Sequence, residues 1–267
     1  MKPLNASPRT ISFIVPAHNE EALLGATLEA LAAAARGLGE PHEIIVVDDA
    51  STDRTAGIAA ERGARVIHVN HRKIAAVRNA GAQAASGDFL FFVDADTVVG
   101  LDTLRAAWKA LREDGAVGGG ARVDFNEVPP RWRLAVKAFM VVYFGLRYAA
   151  GCFIFSRRDA FVAAGGFDEH YFVSEEVHLS KALRRQGKFI IVQPPVFTSG
   201  RKMRMYTMGQ SIAQILRILL GGPGTLRRRE KLGIWYDGRR EVAGSGTEGG
   251  GGAPEDPGAI RNRRPAP

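Results

Sequence analysis

Two aspartates, Asp94 and Asp96, follow directly on the apolar run Phe89–Val93. In an extended segment, residues two apart point the same way, so both carboxylates can face one site. Mutually repelling carboxylates call for a cation or a hydrogen-bonding ligand. Oxygen donors of this kind suit Mg2+ or Mn2+, which take one or two carboxylates and complete their shell with phosphate oxygens and water. Two more polar clusters stand in comparable places. Pro16-Ala17-His18-Asn19-Glu20 follows Ile11–Val15, and Asp48-Asp49-Ala50-Ser51-Thr52-Asp53 follows Glu43–Val47. Taken singly, each reads as ordinary turn and cap residues. Three such clusters along one sheet edge point to a ligand.

The elements that must position these residues alternate through the first half of the chain. Short β-rich runs at Ile11–Val15, Glu43–Val47, Val66–Val69 and Phe89–Val93 are separated by helical stretches at Glu20–Leu38, Ser51–Arg62 and Lys73–Ser86. Leu23, Leu24, Leu28 and Leu31 show the helical spacing, and Ser51-Thr52-Asp53 supplies a cap. Apolar strands without a polar face, separated by helices, imply a mostly parallel sheet covered on both sides, hence an α/β fold. In such sheets ligands bind beyond the carboxyl ends of the strands, where all three clusters fall. No Gly-x-Gly-x-x-Gly follows the first strand and no Gly-x-x-x-x-Gly-Lys-Ser/Thr occurs, so an oxygen-bound metal is the remaining obvious route to holding phosphate. Further on, Leu101–Glu113 reads as a helix, Gly115–Gly120 as a loop, and Asp159–Ala164 as a short helix closed by Gly165-Gly166. Ser174–Gln186 reads as a helix before strand Phe189–Val192, and 203–220 is also helical in pattern.

A chain of 267 residues, 46% hydrophobic and 24% charged, suits one large α/β domain. Cys152 excludes an internal disulfide and reads as a buried structural thiol. The net charge of +8 is unevenly placed. Residues 1–130 carry 13 Lys and Arg against 17 Asp and Glu, whereas residues 131–240 carry 20 against 7. Such a basic stretch suits nucleic acid, anionic lipid or a phosphate-bearing substrate. No nucleic-acid motif accompanies it, and nucleic acid is not an expected partner. The start Met1–Asn5 lacks the apolar core of a signal peptide, and Lys137 and Arg147 interrupt the most apolar stretch, Leu134–Phe155. A cytoplasmic protein, peripheral on the inner face of the cell membrane, is expected. Residues 1–9 read as an extension and 241–267 as a disordered tail.

Together these motifs resemble family 2 glycosyltransferases of the GT-A fold. The resemblance rests on Val15–Glu21, Val47–Asp53, Arg78-Asn79-Ala80-Gly81, and Gly87-Asp88 leading to Asp94-Ala95-Asp96. It extends through Gly151–Arg158, Gly165–Glu169 and Ser174–Leu179. It implies a nucleotide-diphospho-sugar transferase domain over 10–240, with a nucleotide-binding half at 10–100 and an acceptor half at 101–240. Pro16, Ala17, Glu20 and Asp49 would line the base and ribose pocket, with Arg78, Asp94 and Ala95 beside them. Asp96 would ligate Mg2+ or Mn2+, with Asp94 on the ribose or the metal. The family inverts the anomeric centre, which requires a base to take the proton of the acceptor hydroxyl. The family usually has Glu-Asp where Glu175-Glu176 stand, so Glu176 would be the base, one methylene longer than usual. His178 also stands where an acidic residue is common.

The Gln-x-x-Arg-Trp motif of processive synthases is absent, so polymerisation is not expected. Thr198-Ser199-Gly200-Arg201-Lys202 resembles the Thr-Ser-x-Arg-Arg segment of small soluble members. Through it Arg201 or Lys202 would reach the diphosphate and Ser199 the metal. The stretch Arg131–Tyr148 mixes Trp132, Leu134, Phe139, Met140, Val141, Tyr143, Phe144 and Leu146 with four cations. It can lie in a bilayer interface or cover the acceptor pocket. Arg227-Arg228-Arg229-Glu230-Lys231 would add affinity for anionic lipid, and the acceptor hydroxyl would then be lipid-linked or membrane-proximal. A sugar-nucleotide nucleotidylyltransferase is the enzymatic alternative, but the residues after the first strand do not resemble its Gly-rich signature. A non-catalytic nucleotide-sugar or lipid-binding module is the other alternative.

Overall fold

A computed structural model of the chain describes residues 10–126 and 130–199. The extension 1–9, Arg201, Lys202, the expected helix 203–220, the Arg227–Lys231 cluster and the tail 241–267 lie outside the described residues.

Strands β1 (Ile11–Ala17), β2 (His42–Asp49), β3 (Arg65–Val69) and β4 (Phe89–Val93) are parallel neighbours in the order β3-β2-β1-β4. The sheet continues through β7 (Phe153–Arg157), β6 (Ala116–Asn126), β8 (Lys188–Ser199) and β5 (Thr97–Val98). Only β7 and β5 run against the rest. The helices are α1 (Leu24–Leu38), α2 (Thr55–Glu61), α3 (Ile74–Ala84), α4 (Leu101–Arg112), α5 (Pro130–Gly145), α6 (Arg158–Ala163) and α7 (Glu175–Arg184).

Strand β4 shows why its sequence has no polar face. Phe89, Phe91 and Val93 enter a core with Leu24, Leu28 and Leu31 of α1 and Leu104 of α4. Leu90 and Phe92 enter a second core with Val77 of α3, Phe161 of α6 and Leu179 and Leu183 of α7. Alternate side chains thus feed opposite layers, and each buried Phe or Leu contributes about 1.5–3 kcal/mol. Phe91 packs on Phe13 and Phe155 at 5.4 and 5.8 Å between ring centroids. Phe92 meets Phe167 edge-on at 4.9 Å.

The structure corrects several boundaries. Glu20–Leu23 forms a turn, not the first turn of α1, and the Glu20 carbonyl accepts from the N–H groups of Leu23 and Leu24. The glycine-rich Gly115–Gly120 is not a loop: Gly118-Gly119-Gly120 lies inside β6, between β7 and β8. A Cβ on Gly119 would stand 2.0 Å from the Ile190 carbonyl oxygen and 2.5 Å from Phe155 Cζ. These glycines therefore answer a close approach of strands, not a chain reversal. The strand expected at Phe189–Val192 runs on to Ser199 through Pro194-Pro195. The register jumps from Ala121↔Val192 to Val123↔Val196. This irregularity accommodates two residues that cannot donate to a ladder.

Helix α5 begins at Pro130, where a missing N–H costs nothing. Among its described side chains, Met140, Tyr143 and Phe144 turn inward while Leu134, Val141 and Val142 are exposed. Those of Arg131, Trp132 and Phe139 lie outside the described set. No helix of the described residues is long and apolar enough to cross a membrane.

Candidate active site

At the carboxyl ends of β1 and β2 the loops are laced to each other. The Asn19 N–H donates to Ser51 Oγ, and Asn19 Oδ1 accepts from the Thr52 N–H at 2.8 Å. The Glu20 N–H donates to Thr55 Oγ1 at 2.8 Å, and Asp53 accepts from the N–H groups of Glu21 and Thr55. Glu21 in turn accepts from the Arg54 N–H. Asn19 and Ala50 both take positive φ. That region is uncommon outside glycine, and the reciprocal bonds hold the chain there. Much of both motifs is thus a clasp, and the clasp sets Pro16, Ala17, Glu20 and Asp49 along one wall of a cavity of about 560 Å3.

The same cavity is lined by Arg78, Asp94, Ala95, Asp96, Glu175 and Glu176. The described residues singled out from the sequence for nucleotide, metal or base therefore border one space, except Ser199, whose neighbour Thr198 lines it instead. Asp94 and Asp96 reach it differently from expectation. They lie in a turn, closed by the Thr97 N–H on the Asp94 carbonyl at 3.0 Å, and not in an extended segment. Pairing of β5 with β8 fixes this turn. The Ser199 N–H donates to the Asp96 carbonyl, and Thr198 Oγ1 stands 3.3 Å from Asp96 Oδ1. Asp49 Oδ1 accepts from the N–H groups of His71 and Arg72 at 2.7 and 3.1 Å, so it also holds the segment after β3.

Arg78 links the two acidic groups. Its Nη1 donates to Glu175 Oε1 at 2.6 Å, and its Nη2 to Asp94 Oδ1 at 2.7 Å and to the Gly151 carbonyl at 2.8 Å. Burial works to lower its pKa, but the charges of Asp94 and Glu175 more than offset this and keep the guanidinium charged. The neighbouring Asn79 bonds the Phe167 N–H and carbonyl and Glu169 Oε1. Gly81 brings α3 against the sheet: a Cβ there would lie 2.4 Å from Ile14 Cγ2. The run Arg78–Gly81 therefore joins the sheet, the Gly165–Glu169 loop and the site.

Helix α7 is entered through Ser174, which takes a left-handed backbone conformation. Such a conformation is uncommon for a residue other than glycine. Glu176, in the first turn of the helix, meets Tyr143 of α5, whose hydroxyl lies 3.3 Å from Glu176 Oε1 and 2.9 Å from the Ala149 carbonyl oxygen. Burial first, and the charge of Glu175 second, push the Glu176 carboxyl up to about 8. A carboxyl in this range can take up a proton near neutral pH.

Cys152 is not a core thiol but a half-buried residue of the cavity wall. Burial and the charges of Asp94 and Asp96 push its pKa well up, so the thiol stays protonated. Reading strand ends by their polar clusters passed over the segment after β3. Asn70-His71-Arg72-Lys73 follows that strand just as the other clusters follow theirs. Arg72 and Lys73 line the cavity, with Arg72 Nη1 2.6 Å from His18 Nε2 and Lys73 over the Phe172 ring at 4.1 Å.

Among the described residues, no group of three or more His, Cys, Asp or Glu side chains is placed to hold a metal unaided. Asp96 and Asp94 nevertheless offer oxygen donors at an open cavity, with Asp94 already facing one cation, Arg78. That set fits Mg2+ or Mn2+, which keeps positions for phosphate and water, better than an ion needing a full protein cage.

Comparison with known proteins gives this geometry its context. The chain is 36% identical over 96 residues to the undecaprenyl-phosphate 4-deoxy-4-formamido-L-arabinose transferase of Pectobacterium carotovorum subsp. carotovorum strain PC1. It is 42% identical over 94 residues to the protein of the same name from Pseudomonas paraeruginosa strain PA7. The matched segments are 33% and 32% of this chain and only 29% and 27% of those relatives. Among solved structures, a mannosyltransferase of Pyrobaculum calidifontis in complex with GDP-Man and Mn2+ superposes with a TM-score of 0.60 at 19% identity. That match covers 81% of this chain and 64% of the other. Glucosyl-3-phosphoglycerate synthase of Mycobacterium tuberculosis, in complex with Mn2+, UDP and glucosyl-3-phosphoglycerate, gives 0.56 at 21% identity over 80% and 79% of the two chains. At these identities the structural likeness establishes the GT-A fold alone. The profile described as glycosyl transferase family 2 matches residues 12–164, more than half of the chain, and the protein therefore belongs to that family.

Proposed function

We propose that this protein moves a sugar, with inversion, from a nucleoside-diphosphate sugar to the hydroxyl of a lipid-linked or membrane-proximal acceptor. The observation that carries the reading is the double contact of Arg78 with Asp94 and Glu175. It ties the Asp94–Asp96 turn to the start of α7, so that acid pair and base border one cavity. Pro16, Ala17, Glu20 and Asp49 take the base and ribose, with Asp94 and Ala95 beside them. Asp96 is the principal metal ligand, and Arg201 and Lys202 contact the diphosphate. Glu176 accepts the proton of the acceptor hydroxyl. The acceptor oxygen bonds to the anomeric carbon while the bond to the diphosphate oxygen breaks, its electron pair leaving with the diphosphate. A divalent ion, Mg2+ or Mn2+, bound at Asp96 would neutralise the charge gathered on that leaving group. The Mn2+ named in the complexes of both structural neighbours supports this choice.

The test is turnover of UDP-, GDP- and dTDP-sugars with and without Mn2+, repeated with Glu176→Gln. Metal-dependent turnover lost in the variant, with nucleotide affinity retained, is the expected result. No metal-dependent turnover or binding of any donor would sink the reading.

A second reading concerns the acceptor and is favoured by the names of the curated relatives, which transfer to undecaprenyl phosphate. An acceptor phosphate is already ionised near neutral pH and needs no base. Under that reading Glu176→Gln keeps most of its turnover. The placement of Glu176 favours the hydroxyl acceptor.

A further inference from the structure

Helix α5 is apolar around much of its circumference, although one side meets no protein among the described residues. Leu134, Val141, Val142 and, just past the helix end, Leu146 are 81%, 68%, 62% and 53% exposed. Lys137 is exposed on the same face, one turn from Leu134 and Val141. Four large exposed apolar side chains in one stripe form a patch, not the scattered singles of an ordinary surface.

At its carboxyl end the stripe runs into a second cavity, of about 250 Å3, lined by Arg147, Arg184, Gly187, Lys188, Phe189 and Ile190. Three cations surround it, and Phe189 and Ile190 give it an apolar floor. Arg184 Nη1 donates to the Leu146 carbonyl at 3.0 Å, which places the cavity at the end of the stripe. Lys188 Nζ donates to the Asp114 carbonyl at 3.0 Å, and the Asp114 carboxylate lies nearby, paired with Lys109 at 2.9 Å. Among the described residues, no carboxylate forms an ion pair with Arg147, Arg184 or Lys188. The cavity thus combines donors for an anion with a continuous apolar border.

We infer that this face docks on an anionic bilayer, with a lipid phosphate in the Arg147–Arg184–Lys188 cavity and the α5 stripe among the acyl chains. Charge complementarity chooses the occupant: a soluble anion would use the cations but not the stripe, and a partner helix would use the stripe but not the cations. The inference extends the membrane-proximal acceptor proposed above and takes only its purpose from that reading. Docking would hold the catalytic cavity one helix diameter, roughly 10 Å, from the membrane, since Met140 lines it from the inward face of the same helix.

The experiment uses the full chain and vesicles of phosphatidylcholine alone or with 30% phosphatidylglycerol (about 1 in 3 lipids anionic, a composition that attracts basic surfaces). Sedimentation is measured at low and high salt, without donor or metal, and donor hydrolysis is assayed separately in vesicle-free solution. Wild type should bind the anionic vesicles and lose binding in high salt. Arg147→Gln with Arg184→Gln should weaken binding roughly 25-fold, at about fivefold per cation. Val141→Ser with Val142→Ser and Leu146→Ser should weaken it at least tenfold, with an unchanged melting temperature and monomer mass.

Vesicle binding by both variants at the wild-type level would overturn the inference. So would displacement by millimolar inorganic phosphate, which marks a site for a free anion. A large loss of melting temperature, or conversion of a dimer to monomer, in the serine variant would also overturn it, because the stripe is then covered by this chain or a second copy. Failure of donor hydrolysis with vesicle binding intact would remove the proposed function and leave the docking surface standing.

Discussion

Arg78 Nη1 and Glu175 Oε1 lie 2.6 Å apart, with both side chains almost completely buried. Removing one partner of such a pair leaves the other charge uncompensated, which typically costs about 3–5 kcal/mol. Arg78→Met should therefore lose about that much stability in urea unfolding, because Asp94 loses its cation as well. Glu175→Gln keeps an acceptor oxygen for Arg78 and should lose less, about 1–3 kcal/mol. Arg78→Lys should behave more like the methionine variant, since one ammonium cannot span two carboxylates and a carbonyl. Equal stabilities for Arg78→Met and wild type would show that the bridge contributes nothing to the fold.

The pH dependence follows from Glu176, whose carboxyl is pushed up to about 8 by burial and by the charge of Glu175. A base must be ionised, so kcat/KM for a hydroxyl acceptor should rise with pH and level off above about 8. The stability contribution has the opposite sign. Between 4.5 and about 8 the folded protein holds a proton that the unfolded chain has released. Stability from this group is therefore full below 4.5 and is lost as pH rises through about 8. Tyr143 donates to the ionised form, so Tyr143→Phe should move the kinetic limb to higher pH. Loss of that hydrogen bond should cost about 1 kcal/mol of stability. A pH–rate profile unchanged by Tyr143→Phe would separate the tyrosine from the base.

Two glycines should respond in opposite degrees to alanine. Gly119→Ala forces a methyl to within 2.0 Å of the Ile190 carbonyl oxygen, between strands that cannot separate without opening both cores. It should cost more than the roughly 1–3 kcal/mol usual for overpacking and yield little folded protein. Gly165 has φ +82° but nothing within 4 Å of an added Cβ. Gly165→Ala pays only the left-handed backbone strain, about 1–2 kcal/mol. Thermal melts of the two variants check the contrast.

Removal of divalent ions with a chelator should abolish donor turnover, and Mn2+ should restore it. Asp96→Asn should lower turnover and weaken metal affinity together, whereas Asp94→Asn should mainly loosen Arg78. Melting curves with and without Mn2+ give a readout independent of activity. A metal-induced rise in melting temperature in wild type that survives in Asp96→Asn would move the ligand elsewhere.

Much of the first half of the chain was legible because parallel strands carry their chemistry at one end. Phe89–Val93 announced a strand buried on both faces, and Asp94 and Asp96 marked where it ends. The same rule would have found Arg72 and Lys73, had the less apolar Arg65–Val69 been read as closely. The second half was less legible because its signals are tertiary. Gly118–Gly120 looks like a turn until β7 and β8 are seen against it. Pro194-Pro195 looks like a strand end until the register jump appears. Tyr143 carries no local sign that its hydroxyl meets Glu176, 33 residues further on. Arg78 belonged to a quoted motif, yet its two carboxylate partners lie 16 and 97 residues away.

The reversal of β7 has a consequence for how such an enzyme can change. Strands β6 and β7 are antiparallel neighbours: the chain leaves the sheet at the end of β6, Asn126, and re-enters at Phe153 on the strand paired with Gly118–Gly120 of β6. Everything between, including α5 and Tyr143, is a cassette hung from two neighbouring strands. The nucleotide end is built on β1, β2 and β4 and is tied to the last residues of the cassette, where the Gly151 carbonyl accepts from Arg78 and the Cys152 carbonyl from the Asp94 N–H. Exchanging the part of that cassette that precedes Ala150 between relatives is the natural way to graft a new acceptor while keeping the contacts of Arg78 and Asp94.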